Sequence, residues 1–226
     1  MLAGNKTYES LSDLPGEIPV FPLTGAMLLP RAHLPLNIFE PRYLAMVDHA
    51  LAADRVVGIV QPRFDDPGNR NRSTPELCDV GGLGRLVSFQ ETGDGRYLIS
   101  LEGISRFRIV EEVQTTTPFR LCRVAFDEFL SDLDAGCGER EVDRAAVIRV
   151  FKDFLAANDL EADWKSVGGA SNETLVNTLA MMSPYGPAEK QAMLEAPDLK
   201  ARAATLIAIT EMELARQGSE KKPVLN

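Results

Sequence analysis

The chain has little of what metal, redox or nucleophile chemistry needs. It holds 3 cysteines and 2 histidines in 226 residues. Cys78, Cys122 and Cys137 stand far apart and form no Cys-x-x-Cys pair, which excludes a disulfide framework and a zinc site of the usual spacing, and the odd count fits a reducing compartment. His33 and His49 have neither a histidine four residues on nor a neighbouring cysteine, so each reads as a surface or hydrogen-bonded histidine rather than a ligand. No run reaches the roughly 18 apolar residues of a membrane span, and the opening MLAGNKTYESLSDLPGE lacks the apolar core of a secretory leader. The expected location is the cytoplasm. Basic residues are also in the minority, 24 against 33 acidic ones, for a net charge of −9. That balance opposes non-specific binding to phosphate backbones.

The motifs of nucleotide and acyl chemistry are missing as well. There is no GxxxxGK[ST] and no GxSxG, so neither a phosphate loop nor a nucleophile elbow is available. Gly82-Leu83-Gly84 lacks the third glycine of a dinucleotide fingerprint and precedes a strand rather than a helix, so it reads as a turn or bulge. No catalytic, cofactor-binding or metal-binding residue is expected, and no cofactor.

What is present is an ordinary globular composition, 45% hydrophobic and 25% charged. Pro19, Pro22, Pro30 and Pro35 each lack an N–H and push the preceding residue to extended conformations, so 20–36 reads as short edge or bulged strands. At Pro41 the period changes. Tyr43, Met46, Val47, Ala50 and Leu51 share one helical stripe, and proline suits the first helical position. Val56–Val60 reads as a buried strand, and 63–75 as a polar loop of the length that usually carries function. Strands follow at 85–90 and 96–102, joined by the turn Thr92-Gly93-Asp94-Gly95. Gly103 bends the chain into another at 104–110, and a last one spans 119–126. About six strands and one helix suit a small barrel or sandwich of mixed topology. The acidic linker 131–140 ends this part. Beyond it helices are expected at 139–157, at 172–182 behind a Ser171 or Asn172 cap, at 187–195 behind Pro187, and at 199–216 behind Asp198.

The phrases PVFPLTGAMLLPRAHLPLNIFEPRY, DGRYLISLEGISRFRI and LAMMSPYGPAEKQAMLEAPDLKARAATL resemble the N-terminal, substrate-binding domain of Lon proteases, in the form found in stand-alone bacterial proteins without the ATPase and peptidase parts. The resemblance implies an α+β fold, with an N-terminal PUA-like mixed β-barrel carrying one helix and a C-terminal four-helix bundle-like subdomain. The expected bounds are 14–128 for the barrel and 139–216 for the helices, with 1–13 and 217–226 as flexible termini.

It also implies function. The expected activity is non-catalytic binding of unfolded or exposed peptide segments of proteins, as an adaptor in protein quality control, with an ATP-dependent protease or unfoldase acting in trans. An RNA-binding PUA-like module is the alternative and a peptidase the second. The binding surface is unassigned among the proline-rich edge 26–36, the loop 63–75 and the crevice between barrel and helices. Glu40, Arg42 and Tyr43 stand at the strand-to-helix junction, where a carboxylate and a guanidinium are expected to fix it through charge-assisted hydrogen bonds, with ligand contact as the alternative. Arg85, Arg96, Arg106 and Arg108 are the candidates for a basic stripe, interleaved only with Tyr97 and Phe107 and surrounded by Glu91, Asp94, Glu102, Glu111 and Glu112.

Overall fold

The computed structural model describes residues 1–65, 68, 69, 72 and 74–220, without the side chains of 218–220. The chain divides into two compact units, one of residues 1–135 with 184–194, the other of 136–183 with 195 onward.

In the first unit the strands β3 (Glu17–Pro22), β5 (Val56–Val60), β6 (Val80–Glu91), β7 (Tyr97–Val113) and β8 (Arg120–Ala125) close on themselves. Closure depends on β7, whose 17 residues serve three partners. Tyr97 to Glu102 pairs with β4 (His33–Ile38), Tyr97 to Arg108 with β6, and Arg108 to Val113 with β8. Among the described residues only β3 and β5 run parallel, so a long crossover must join them, and it carries β4 and the helix α1 (Pro41–Ala52). The stretches 96–102 and 104–110, expected as two strands, are one continuous strand, whose ladder to β6 slips by one residue between the pairs Leu83–Ser105 and Gly84–Gly103.

The glycines on these two strands have a steric cause. The carbonyl oxygens of Leu28 and Leu29 lie 2.0 Å from where a Cβ on Gly82 and on Gly103 would stand. The segment of Met27, Leu28 and Leu29, each 0–2% exposed, therefore lies directly across β6 and β7, and only glycine admits it. Gly82-Leu83-Gly84 sits at a β-bulge, with the register shifting between Leu83 and Gly84. The turn before β7 also forms as its glycines suggest, with Gly93 at φ +79° and Gly95 at φ +83°.

The N-terminal stretch is not a loose lead-in. Strands β1 (Leu2–Ala3) and β2 (Lys6–Thr7) pair, and Ala3, Tyr8 and Leu14 belong to the same core cluster as Ile18, Phe107 and Cys122. Polar composition concealed this, because two fully buried residues, Ala3 and Tyr8, hold the stretch in place.

Two buried polar links complete the unit. Arg106, 1% exposed, meets Asp132 through Nε–Oδ2 and Nη2–Oδ1 bonds, both 2.9 Å, while its own backbone N–H donates to Oδ2. Asp132 lies in the 3-10 turn Asp127–Leu133. The second link involves α5 (Pro187–Glu195). Gln61 accepts from Gly25 N–H at 2.9 Å and donates to Pro187 O and Gln191 Oε1, and Gln191 Nε2 donates to Val80 O. Arg106 Nη1 adds a bond to Leu194 O at 3.1 Å. A segment from the helical part of the sequence is thus built into the barrel unit.

The second unit holds α2 (Arg144–Ala157), α3 (Trp164–Gly169), α4 (Asn172–Met182) and α6 (Leu199–Glu220). Helix α2 starts later than 139, because Asp143 accepts from Ala146 N–H at 3.0 Å as its cap while 139–141 forms a separate 3-10 turn. Helix α3 was not expected. Ser171 caps α4 and Asp198 caps α6, as read from sequence. Val147, Val150, Phe154, Leu175, Val176 and Leu206 are buried on their facing stripes.

Candidate functional site

A pocket of about 280 Å³ opens on the barrel unit, where stretches distant in sequence converge. Pro22 ends β3, Arg42 and Tyr43 begin α1, Pro62, Arg72, Thr74 and Pro75 come from the loop between β5 and β6, and Pro118, Phe119 and Arg120 lead into β8. Four prolines line it, Pro22 at the end of β3, Pro62 and Pro75 in the loop and Pro118 ahead of β8.

The loop is held at its base and from within. Pro62 bridges Leu77, Arg63 N–H donates to Glu76 O at 2.8 Å and Cys78 N–H to Gln61 O at 2.8 Å. Asn69, 1% exposed, donates from Nδ2 to the carbonyls of Arg63 and Glu76 and accepts from Glu76 N–H at 2.7 Å. In the loop 63–75, residues 66, 67, 70, 71 and 73 lie outside the described residues.

Rings and guanidiniums share the wall. Tyr43 packs on Phe21 with centroids 4.2 Å apart and the rings tilted by 40°, and the Arg42 guanidinium lies 4.5 Å from the Tyr43 ring. Burial pushes the Tyr43 hydroxyl pKa up, with Arg42 opposing. Phe119 is buried and meets His49 at 5.2 Å. Each guanidinium is braced by a carboxylate: Arg42 by Glu40 at 2.8 Å, Arg72 by Glu76 at 2.8 Å, Arg120 by Glu112 at 2.5 Å. Arg120 Nη1 also donates to Pro75 O at 2.7 Å. None of the bracing glutamates lines the pocket. The Glu40–Arg42 bond at the head of α1 is the junction contact expected from sequence, and Arg42 and Tyr43 also line the cavity.

The other candidates are dispersed. Along 26–36 the residues Met27 to Pro30 are buried, and β4 forms the last strand of its sheet. The basic stripe does not form. Arg85 is 7% exposed and donates to Asp54 O and Asn5 Oδ1, both at 2.9 Å, and Arg106 is buried on Asp132. Arg108 is chelated by Glu128 at 2.6 and 2.7 Å, and Arg96 lies 3.3 Å from Asp94. His33 and Cys137 are exposed while Cys78 and Cys122 are buried. Among the described residues no three His, Cys, Asp or Glu side chains gather as a metal would require, and no helix is long and apolar enough to cross a membrane. Sequence reading singled out the loop, Arg42 and Tyr43 but missed Pro118, Phe119 and Arg120; the proline before β8 was the available signal.

Comparison with known proteins agrees with this architecture. Lon protease 2 of Myxococcus xanthus is 29% identical over 199 residues, which cover 84% of this chain and 23% of that protein. Lon protease of Anaeromyxobacter dehalogenans is 27% identical over 203 residues, covering 84% and 22%. The chain therefore spans about a quarter of the length of these curated relatives. Among solved structures, a Lon N-terminal domain protein from Xanthomonas campestris superposes with a TM-score of 0.58 at 21% identity, over 85% of this chain and 97% of that one. The N-terminal domain of Mycobacterium avium complex Lon protease gives 0.60 at 17% identity, over 86% and 98%. These two share the fold. The family described as the ATP-dependent protease La (LON) substrate-binding domain matches residues 17–211, and the chain belongs to it.

Proposed function

We propose that the chain binds exposed or unfolded segments of other proteins without cutting them, and works in the cytoplasm as an adaptor for an ATP-dependent protease or unfoldase acting in trans. The observation that carries this reading is the pocket itself. Its wall joins four prolines, Tyr43 and Phe119 with guanidiniums already fixed by carboxylates, and so offers rigid ring surface that an extended chain can meet with little ordering cost. At about 280 Å³ it falls just below the usual range for small-molecule sites and suits one or two residues of a peptide. Family membership supports the same reading. The RNA alternative loses its support, because Arg85, Arg96, Arg106 and Arg108 are either buried or bound to acceptors.

The test is binding of a permanently unfolded protein, reduced and carboxymethylated casein, to the full chain and to Thr74→Trp. Thr74 is exposed at the pocket mouth, so an indole there fills the cavity without touching the core. Capture that persists at 0.5 M salt and falls at least about ten-fold in the variant supports the reading. Equal capture by both proteins refutes the pocket as the site.

A further inference from the structure

The pocket wall carries three guanidiniums, from Arg42, Arg72 and Arg120, and no carboxylate, in a chain where acidic residues outnumber basic ones 33 to 24. Their partners Glu40, Glu76 and Glu112 stand behind them. Arg42 spends Nε and Nη2 on Glu40, and its Nη1 has no hydrogen-bond partner among the described residues. Arg120 spends Nε and Nη2 on Glu112 and one Nη1 hydrogen on Pro75 O. An arginine has five N–H donors in a fixed fork, so both keep donors beyond those bonds. Beside them lie the rings of Tyr43 and Phe119.

We infer that the pocket selects peptide segments in which a carboxylate stands next to a proline or aromatic residue, the ring packing on the proline-and-ring wall and the carboxylate accepting from Arg42 and Arg120. This rests on the peptide-binding reading of the pocket and names its substrate class. The braced geometry decides for one carboxylate against a polyanion. Each guanidinium is already neutralised, so the long-range field that gathers phosphates is weak, while directional N–H donors remain for a single short-range acceptor. The carboxylate has two possible sources, an Asp or Glu side chain or the chain's own C-terminus.

Isothermal titration calorimetry on the full chain separates these with three N-acetylated peptides. One is Gly-Ser-Gly-Pro-Phe-Glu-Gly amide, one is Gly-Ser-Gly-Pro-Phe with a free C-terminal carboxylate, and the control is Gly-Ser-Gly-Pro-Phe-Gln-Gly amide. At least one acidic peptide is expected to bind about ten-fold more tightly than the control, the value of one charge-assisted bond, and the one that does identifies the source. Glu40→Gln keeps an acceptor for Arg42 but removes the opposing charge. It should tighten the acidic peptide several-fold and leave the control unchanged, an effect that misfolding cannot imitate, whereas Arg42→Gln should abolish the preference. Equal binding of all three peptides, or a Glu40→Gln variant that leaves their ratio unchanged, overturns the carboxylate preference while peptide binding stands. If none of the peptides binds but carboxymethylated casein is still captured, the preference alone fails; if casein also fails, the peptide-binding reading fails with it.

Discussion

Removing the Asp132 carboxylate offers a sharp test of what holds the barrel unit together. Asp132→Ala would strip the Arg106 guanidinium, 1% exposed and 4.6 Å from the Phe129 ring, of its carboxylate partner and of the Nε and Nη2 bonds that both end on Asp132. The backbone N–H of Arg106 loses its acceptor too. Breaking one side of a buried pair costs about 3–5 kcal/mol, because the surviving charge stays out of water. That is a large share of the roughly 5–15 kcal/mol that stabilises a typical domain. The internal control is Glu128→Ala, which breaks a bidentate pair with Arg108 that is shorter still, at 2.6 and 2.7 Å, but whose side chains are 43% and 55% exposed. Solvent screens that pair, so a far smaller effect is expected. Urea unfolding should be followed by far-UV circular dichroism, because the single tryptophan, Trp164, lies in the other unit and fluorescence would report there. Asp132→Ala is expected to lower the midpoint by roughly 1–2 M on a slope of about 2–3 kcal/mol per M. The double variant Arg106→Met with Asp132→Leu should recover much of the loss. Equal midpoints for the two single alanine variants would refute the reasoning, since geometry alone would then set the value of each pair.

Three further outcomes follow from the packing. Gly82→Ala or Gly103→Ala forces a Cβ to 2.0 Å from a backbone carbonyl and should cost at least about 3 kcal/mol or prevent folding, whereas Gly16→Ala, with nothing within 4 Å, should leave the melting temperature unchanged. Burial pushes the Cys122 thiol up to about 11 from 9.0 and raises the Tyr8 hydroxyl. Both groups favour the neutral form in the fold, so the thiol's contribution is complete below pH 9 and falls as pH rises toward 11, by about 2–3 kcal/mol, while that of Tyr8 is complete below its ordinary 10.0 and falls above it; Cys122→Ala should flatten that alkaline slope, and an unchanged slope would refute the assignment. In the native protein at pH 8, a thiol reagent should label Cys137, which is exposed, and spare Cys78 and Cys122, which are buried, as peptide mapping by mass spectrometry would reveal.

The fold was legible wherever the signal was local. Pro41 and the stripe through Met46 and Val47 located α1, Ser171 and Asp198 located helix starts, and the glycines of 93–95 located a hairpin. Signals that depend on a distant partner were not legible. Nothing in the residues of α5 announces that Gln191 reaches Val80 and Gln61, and nothing in Arg106 says that it is buried, since arginine is almost never fully buried unless paired. The candidate site divides the same way. The loop, Arg42 and Tyr43 were flagged by composition and position, but Phe119 and Arg120 join them only through the pairing of β8 with β3. The arginines of the expected stripe lie on β6, on β7 and in the turn between them, but burial and pairing remove them from service, and neither can be read from spacing.

The insertion of α5 into the barrel unit bears on how the chain comes into being. Gln61 waits for a partner 130 residues further on, and Arg106 for one 88 further on. During synthesis the strands from β3 to β8 are complete long before residue 187 exists, so the β-unit passes through a stage with its polar interior unfinished and the strip meant for α5 uncovered. Long-range closure of this kind is slow and exposes apolar surface meanwhile. A barrel finished by a late helix cannot settle until most of the chain has been made.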